Sequence, residues 1–82
     1  MKPLYVTLYF IEFVHNNLGI WDREWFLTQP EAQAAYEAKL EEGFVPKDTG
    51  DEGALRGPCQ HTVELSAQGL LRFANRFAVD DV

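Results

Sequence analysis

The segment that most constrains the fold is an apolar run near the N-terminus, LYVTLYFIEFV, from Leu4 to Val14. β-Branched and aromatic side chains dominate it, which is the composition of a β-strand. Side chains alternate between the two faces of a strand, and here both faces are apolar. The two sets are Leu4, Val6, Leu8 and Phe10, and Tyr5, Tyr9, Ile11 and Phe13. A strand of this kind is usually covered on both sides, so we expect other elements to pack on both of its faces.

A hairpin is predicted after this strand. The sequence HNNLG follows it, and Asn16-Asn17 tolerates the positive φ angles of a tight turn. Ile20 to Thr28 then forms the return strand. With a two-residue turn, Leu8 opposes Trp25, whereas a three-residue turn would change the partners. We expect Trp25 and Leu27 to pack in the core under the next helix.

That helix is the clearest element of the chain, TQPEAQAAYEAKLEEG. Thr28 and Glu31 have the spacing of a capping box, and Pro30 suits the first turn of a helix. Gly43 supplies a left-handed stop at the other end. The residues that recur at helical spacing on its apolar side are Ala32, Ala35, Tyr36 and Leu40.

The remaining chain alternates loop and short elements. Residues 44–46 suit a short edge strand, residues 46–58 an exposed loop rich in Gly and charge, and residues 61–65 a strand. Residues 70–79 fit helix or strand, and helical spacing with Ser66 as N-cap favours the helix. The sequence therefore predicts one α+β domain over residues 1–82, in the order ββαβα, with the helices packed on one face of a small sheet.

Charge and cysteine content limit the partners. Among 82 residues, seven are basic and thirteen acidic, so the formal net charge is −6. Nucleic acids and anionic membranes attract cationic proteins, so direct binding to either is not expected. A protein with a basic surface is the natural partner. The single cysteine, Cys59, forms no internal disulfide, and no signal-peptide cleavage site is seen, so we expect a cytoplasmic protein.

Motifs for catalysis or metal binding are weak. The tripeptide Asp48-Thr49-Gly50 occurs in aspartic proteases, but here it lies in a polar loop. Cys59, His61 and His15 do not form a recognised zinc motif, and no base is evident beside Cys59. Asp22 and Glu24 lie two apart on a strand and share a face, but acid–base catalysis also needs a pocket. We therefore expect no catalytic residue, metal or cofactor.

Two surfaces are predicted to bind other molecules. The first is a dimer interface or hydrophobic anchor, because aromatics with a few charges are typical of interfaces. Its residues are Tyr5, Tyr9, Ile11, Phe13, Asp22 and Glu24. The second is acidic and would bind a basic partner, although a charged, solvated helix face without a function has the same composition. Its residues are Glu37, Glu41, Glu42, Asp48, Asp51 and Glu52.

In size, acidity and order of elements, the whole chain resembles the small phage-encoded inhibitors of bacterial defence, the anti-CRISPR proteins and DNA mimics. The resemblance implies a non-enzymatic protein that inhibits a nucleic-acid-binding or CRISPR-type complex by covering its basic surface. It carries no functional residue over to this sequence. The alternatives are a structural or assembly domain of a cellular or phage complex, or a small dimeric enzyme with its pocket between the subunits.

Overall fold

A computed structural model describes residues 2–15 and 19–78, with the backbone alone for residues 77 and 78. Its elements are β1 (Tyr5–Phe13), β2 (Asp22–Phe26), α1 (Gln29–Glu41), β3 (Val45–Pro46), β4 (Ala54–Glu64), α2 (Ala67–Phe73) and a π-helical turn (Ala74–Ala78). The predicted α+β class is confirmed, with an N-terminal hairpin, a short third strand and two helices. Helix is also confirmed over the described part of the ambiguous segment at residues 70–79.

The four strands form one mixed sheet in the order β2-β1-β4-β3. β1 pairs antiparallel with β2 on one side and with β4 on the other, while β3 pairs parallel with the start of β4. β1 and β4 are the longest of the four strands, and β1 lies between two neighbours, as its largely apolar sequence favours. The first and last strands of the chain are therefore adjacent in the sheet.

The register of the hairpin differs from the prediction by two residues. Trp25 lies opposite Phe10 rather than Leu8. Because a shift of two residues keeps every side chain on its face, the predicted division of the hairpin into two faces holds. The turn predicted at Asn16-Asn17 falls outside the described residues. β1 stays in the sheet beyond its end at Phe13, because the Val14 N–H donates to the Ala54 carbonyl and the Val14 carbonyl accepts from the Gly53 N–H.

The main core lies between α1 and one face of the sheet. Ile11 is fully buried, and Phe13 and Leu55 are nearly so. The partly buried residues packed against them are Phe26, Ala35, Tyr36 and Phe44. The apolar side of α1 predicted from its spacing thus supplies Ala35 and Tyr36 to this core, and the fully buried Ala32 to the interior.

α2 packs on the opposite face of the sheet. The Phe73 ring lies 5.2 Å from the Trp25 ring and 5.8 Å from the His61 ring, centroid to centroid. Trp25 in turn contacts Phe10, whose side chain points away from α1. The sheet is therefore covered on both faces, as the sequence of β1 predicts. The two helices therefore lie on opposite faces of the sheet, and not on one face as the sequence predicts.

Two core assignments in the hairpin also change. Trp25 packs beneath α2 rather than α1, because it alternates with Phe26, which faces α1. Leu27 is 75% exposed, since the chain leaves β2 at Phe26 and bends toward the start of α1. Leu27 is therefore outside the core.

The predicted exposed loop at residues 46–58 is shorter in the structure. β4 begins at Ala54, and Ala54 and Leu55 are buried. Residues 54–58 were predicted to belong to the loop because the stretch 46–58 is rich in Gly and charge, and it includes Gly57 and Pro58. The structure accommodates them in a bulge, where the β1–β4 register shifts and Gly57 has a φ of 126°.

Neither helix in the described part of the chain has the length and apolar character needed to cross a membrane.

Candidate protein-binding surface

Three of the six acidic residues predicted to bind a partner, Glu37, Glu41 and Glu42, lie on α1 or at its C-cap. The predicted capping box fixes the start of this helix. The Thr28 hydroxyl accepts from the Glu31 N–H at 3.3 Å, and the Glu31 carboxylate accepts from the Thr28 N–H at 3.1 Å. With Ala35 and Tyr36 against the sheet, Glu37 and Glu41 are exposed on the other side of the helix. The cap thus fixes which carboxylates α1 presents to solvent.

Lys39 is the basic residue within α1, and it is drawn toward the core. Its Nζ lies 4.2 Å from the centre of the Phe13 ring and 5.3 Å from that of Phe44. Such cation–π contacts hold a charge against an aromatic face. The Glu42 carboxylate is 3.7 Å from the same Nζ and more than half exposed. Lys39 therefore leaves the outer side of α1 acidic.

The other three predicted acidic residues, Asp48, Asp51 and Glu52, lie in the loop at residues 47–53, between β3 and β4. The Gly53 N–H donates to the Val14 carbonyl at 2.7 Å, and the Val45 N–H donates to the Gly53 carbonyl at 2.8 Å. The Thr49 hydroxyl donates to the Asp51 carboxylate at 2.9 Å. Backbone bonds to β1 and β3 therefore attach this loop to the sheet.

The loop and the last turn of α1 lie at the same end of the sheet, where β1 reaches Phe13 and Val14. Lys39 contacts the Phe13 ring there, and the Gly53 backbone bonds to Val14. We call the residues exposed on α1 and this loop the acidic surface. They are Glu37, Glu41, Glu42, Asp48, Asp51 and Glu52, and all six are exposed. The structure thus brings together the two sequence segments that carry the predicted partner-binding residues.

Arg23, Arg72 and Arg76 lie away from the acidic surface, whereas Arg56 lines the groove beside the bulge together with Asp48. Arg23 and Arg56 project from the sheet face that α2 covers, and Arg72 and Arg76 belong to α2 and the turn that continues it. Glu12 lies between the first two. Its carboxylate accepts from Arg23 at 2.6 and 3.0 Å and is 3.2 Å from the Arg56 Nη2. Arginine charge is therefore concentrated on the α2 side of the sheet, with Arg56 and Lys47 beside the acidic loop.

The Glu12 cluster is a feature that sequence reasoning largely missed. The guanidinium of Arg23 lies 5.4 Å from the centre of the Phe10 ring. Arg56 stacks on Trp21 at 3.7 Å. A lone carboxylate at Glu12 inside an apolar strand is a signal for a buried ion pair. Arg56 could not be assigned as its partner while it was placed in a loop.

Two residues of the predicted aromatic interface are buried inside the protein, so that prediction needs correction. Ile11 and Phe13 lie in the core beneath α1 and present no surface to a partner. Of the other four predicted residues, Tyr5 and Glu24 are exposed, Tyr9 is half-buried, and Asp22 pairs with His15. The six residues share a face, as the alternation of side chains predicts, but α1 occupies part of that face.

The residues considered for chemistry are dispersed. Cys59 and His61 lie on β4, and His15 lies beyond the other end of the ladder, beside Asp22. Burial raises the pKa of the Cys59 thiol, and the Glu12 carboxylate raises it further, while Arg56 and Arg23 oppose the shift. In the described part of the chain, no three His, Cys, Asp or Glu side chains are grouped as metal ligands.

Two concavities accompany these surfaces. An open groove of about 520 Å³ lies beside the bulge, where Tyr36, Lys47 and Arg56 contribute to its lining. A smaller cavity of about 190 Å³ lies between β4 and α2, lined in part by His61 and Arg72. Neither contains Asp22 or Glu24, the carboxylate pair considered for acid–base chemistry.

No family model, curated protein or solved structure matches this chain.

Proposed function

We propose that this chain is a non-enzymatic binding protein whose acidic surface covers a basic surface on a nucleic-acid-binding protein. The observation that carries the proposal is the segregation of charge. Six exposed carboxylates lie on α1, on its C-cap Glu42 and on the loop at residues 47–53, whereas the described arginines project from the α2 side of the sheet. Arg56 also lines the groove beside Asp48, and it is paired with Glu12. The exposed Lys47 in the same loop leaves the patch predominantly acidic. A predominantly acidic patch attracts a partner of opposite charge and speeds its association.

The carboxylates of the acidic surface are left largely unneutralised by the chain itself. Glu42 is paired with Lys39, whereas Glu37 and Asp51 accept from the neutral groups of Gln33 and Thr49. Neutral donors orient a carboxylate and leave its charge in place. The surface therefore keeps most of its negative potential for a partner.

The acidic surface is also held in place before binding. The capping box fixes the start of α1, and backbone bonds from Gly53 to Val14 and Val45 anchor the loop. A surface that is ordered in advance loses little conformational entropy on association, so more of its interaction energy appears as affinity.

A nucleic-acid-binding protein is the favoured partner because its binding groove is built to accept a series of negative charges. Phosphate recognition relies on Lys and Arg side chains, and carboxylates on a rigid scaffold offer the same sign of charge. Binding there would exclude DNA or RNA. We therefore propose that the chain acts as an inhibitor, with CRISPR-type complexes as the first class to test.

Capture of partners tests the binding step. The immobilised chain is exposed to a nuclease-treated bacterial lysate, and retained proteins are challenged with duplex DNA or RNA. We expect nucleic-acid-binding proteins to be retained and to be displaced by the competitor. The triple variant Glu37→Lys, Glu41→Lys, Asp51→Lys should lose them. Glu24→Lys, which reverses an exposed carboxylate on β2, is the control and should retain them.

The inhibitory step is tested in bacterial cells that carry a CRISPR-type system directed against a plasmid. Expression of the chain should restore transformation by the targeted plasmid, and the triple variant should not restore it. If the triple variant binds and inhibits as well as the unaltered chain, the acidic surface is not the binding site. If neither inhibits any system that is tested, the choice of CRISPR-type targets is wrong.

A further inference from the structure

β1 extends well beyond the strand that pairs with its outer side. β2 pairs with Tyr9 to Phe13 and ends at Phe26. Two residues later the backbone of Thr28 is committed to α1, since its carbonyl accepts from the Ala32 N–H and its N–H donates to Glu31. Among the described residues, no strand pairs with β1 from Tyr5 to Leu8 on that side.

The hydrogen-bond pattern shows which backbone groups face this open edge. The Leu65 N–H donates to the Leu4 carbonyl at 2.8 Å, and Tyr5 lies opposite Glu64. In an antiparallel ladder, alternate residues direct both backbone groups to the same neighbour. Leu4 therefore faces β4, and the N–H and carbonyl groups of Tyr5 and Thr7 face outward.

The side chains along this edge are uncharged, unlike those of most exposed edges. From Leu4 to Ile11 the sequence contains neither a charged residue nor a proline, and Leu4 and Tyr5 are 68% and 60% exposed. Proteins usually protect an open edge with charged residues, prolines or bulges. The outer edge of β4 has such protection, since it pairs with β3 at its start and then contains Pro58 in a bulge.

We propose that a second copy of this chain pairs with the β1 edge, antiparallel and around a twofold axis at Val6. In this register Tyr5 exchanges two backbone hydrogen bonds with the second copy's Thr7, and Thr7 does the same with the second copy's Tyr5. Four outward groups on each chain are thereby satisfied. The two four-stranded sheets become one continuous sheet across the dimer.

Self-complementarity favours a second copy over an unrelated peptide. On the face that carries Val6, the twofold axis places Val6 against the second copy's Val6 and Leu4 against its Leu8. The exposed Leu4 and the half-buried Val6 and Leu8 therefore each meet another aliphatic residue, and such cross-strand pairs stabilise antiparallel sheets. An isologous contact also closes after two subunits, which leaves no free copy of this edge.

The dimer does not depend on the proposed inhibitory function. The β1 edge lies near Tyr5, whereas the acidic surface lies at the opposite end of β1, near Phe13 and Val14. Both acidic surfaces stay accessible in the dimer. Loss of the dimer and loss of partner binding can therefore be measured separately.

Mass in solution gives the first test. Sedimentation of the unaltered chain should show a species of twice the 9.4 kDa subunit mass. Tyr5→Lys places like charges close together across the axis and should weaken dimerisation at least about tenfold. Gln60→Lys introduces the same exposed charge on β4 and should leave the dimer intact. A chain that remains a monomer at high concentration would overturn the proposal.

Crosslinking gives the second test and fixes the register. In a Cys59→Ser background, Val6→Cys places two thiols in a pair without hydrogen bonds, where Cα atoms lie about 4.5 Å apart and a disulfide can form. Mild oxidation should convert this variant to a covalent dimer. Gln60→Cys in the same background should form none. Equal crosslinking of both variants, or of Gln60→Cys alone, would contradict pairing through β1.

Discussion

Glu12 is the residue on which two arginines converge. Its side chain is 12% exposed, and each of its carboxylate oxygens has a guanidinium partner. Desolvation of a charge is costly, and here the cost is offset because the carboxylate is shared between Arg23 and Arg56. The cluster links β2, β1 and β4, the three strands that carry its members.

Removal of the Glu12 charge should destabilise the fold. Glu12→Gln leaves Arg23 and Arg56 close together without their shared anion, and we expect a loss of about 2–3 kcal/mol in the free energy of unfolding, below the range for fully buried pairs because both arginines are partly exposed. Urea unfolding measures this loss in the free energy of unfolding. Glu24→Gln on the neighbouring, exposed position of β2 is the control and should change the midpoint little. Equal midpoints for the two variants would contradict a stabilising role for the cluster.

Cys59 should make the free energy of unfolding decrease as the pH becomes alkaline. Burial, and then the Glu12 carboxylate, raise the pKa of its thiol in the folded chain above the value in the unfolded chain. The resulting stabilisation is fully present below the unfolded pKa of about 8.5, and it is lost as pH rises through the folded pKa. We expect the urea midpoint to fall more steeply between neutral and alkaline pH in the unaltered chain than in Cys59→Ala. Parallel pH profiles would show that the thiol pKa is not raised by folding.

At the scale of elements, α1 could be predicted almost completely from the sequence. Thr28, Glu31 and Gly43 act within a few residues of their own positions, so their signals do not depend on the rest of the fold. The alternation of β1 is local in the same way, and it correctly predicts two covered faces.

The features that could not be predicted from the sequence depend on contacts between residues far apart in the chain. Which helix covers Trp25 is decided by where α2 lies after β4. Ile11 and Phe13 were assigned to an interface because strand alternation identifies a shared face and cannot identify the element that covers it. Arg56 was missed for a related reason, since a bulge allows Gly57 and Pro58 inside β4.

The bulge predicts a difference between two glycines with similar backbone angles. Gly57 and Gly43 have φ values of 126° and 108°, so alanine strains the backbone at both by about 1–3 kcal/mol. A Cβ atom at Gly57 would lie 3.1 Å from the Phe10 carbonyl oxygen and 3.2 Å from the Ile11 Cα, whereas one at Gly43 meets no atom within 4 Å. Gly57→Ala should therefore lower the thermal midpoint more than Gly43→Ala. The reverse order would contradict close packing of the bulge against β1.

At the scale of the whole molecule, the two sides of the sheet have different charge and the two ends of β1 have different roles. The end near Phe13 adjoins the acidic surface, and the end near Tyr5 carries the open edge. Binding at one end leaves the other free, so the dimer that we propose would present two acidic surfaces to its targets. Two sites on one particle raise avidity when the target is itself repeated or clustered.

Dimerisation should be visible in thermal unfolding. Because an associated folded state is favoured by mass action, the midpoint of the unaltered chain should rise with protein concentration. Tyr5→Lys should show a midpoint that is independent of concentration over the range in which it is a monomer. Gln60→Lys should behave as the unaltered chain does. A midpoint that is the same at every concentration in all three would argue against a dimer coupled to folding.

The pairing of β1 with β4 also has a consequence for how the chain is made. Tyr5 lies opposite Glu64, so the longest ladder of the sheet joins β1 to β4, two strands that are far apart in the sequence. Closing so large a loop makes folding slow compared with that of chains with local contacts. During synthesis β1 must wait, unpaired on that side, until β4 has left the ribosome. Until then the apolar LYVTLYFIEFV lacks its longest partner strand, and apolar segments without their partners are prone to aggregate.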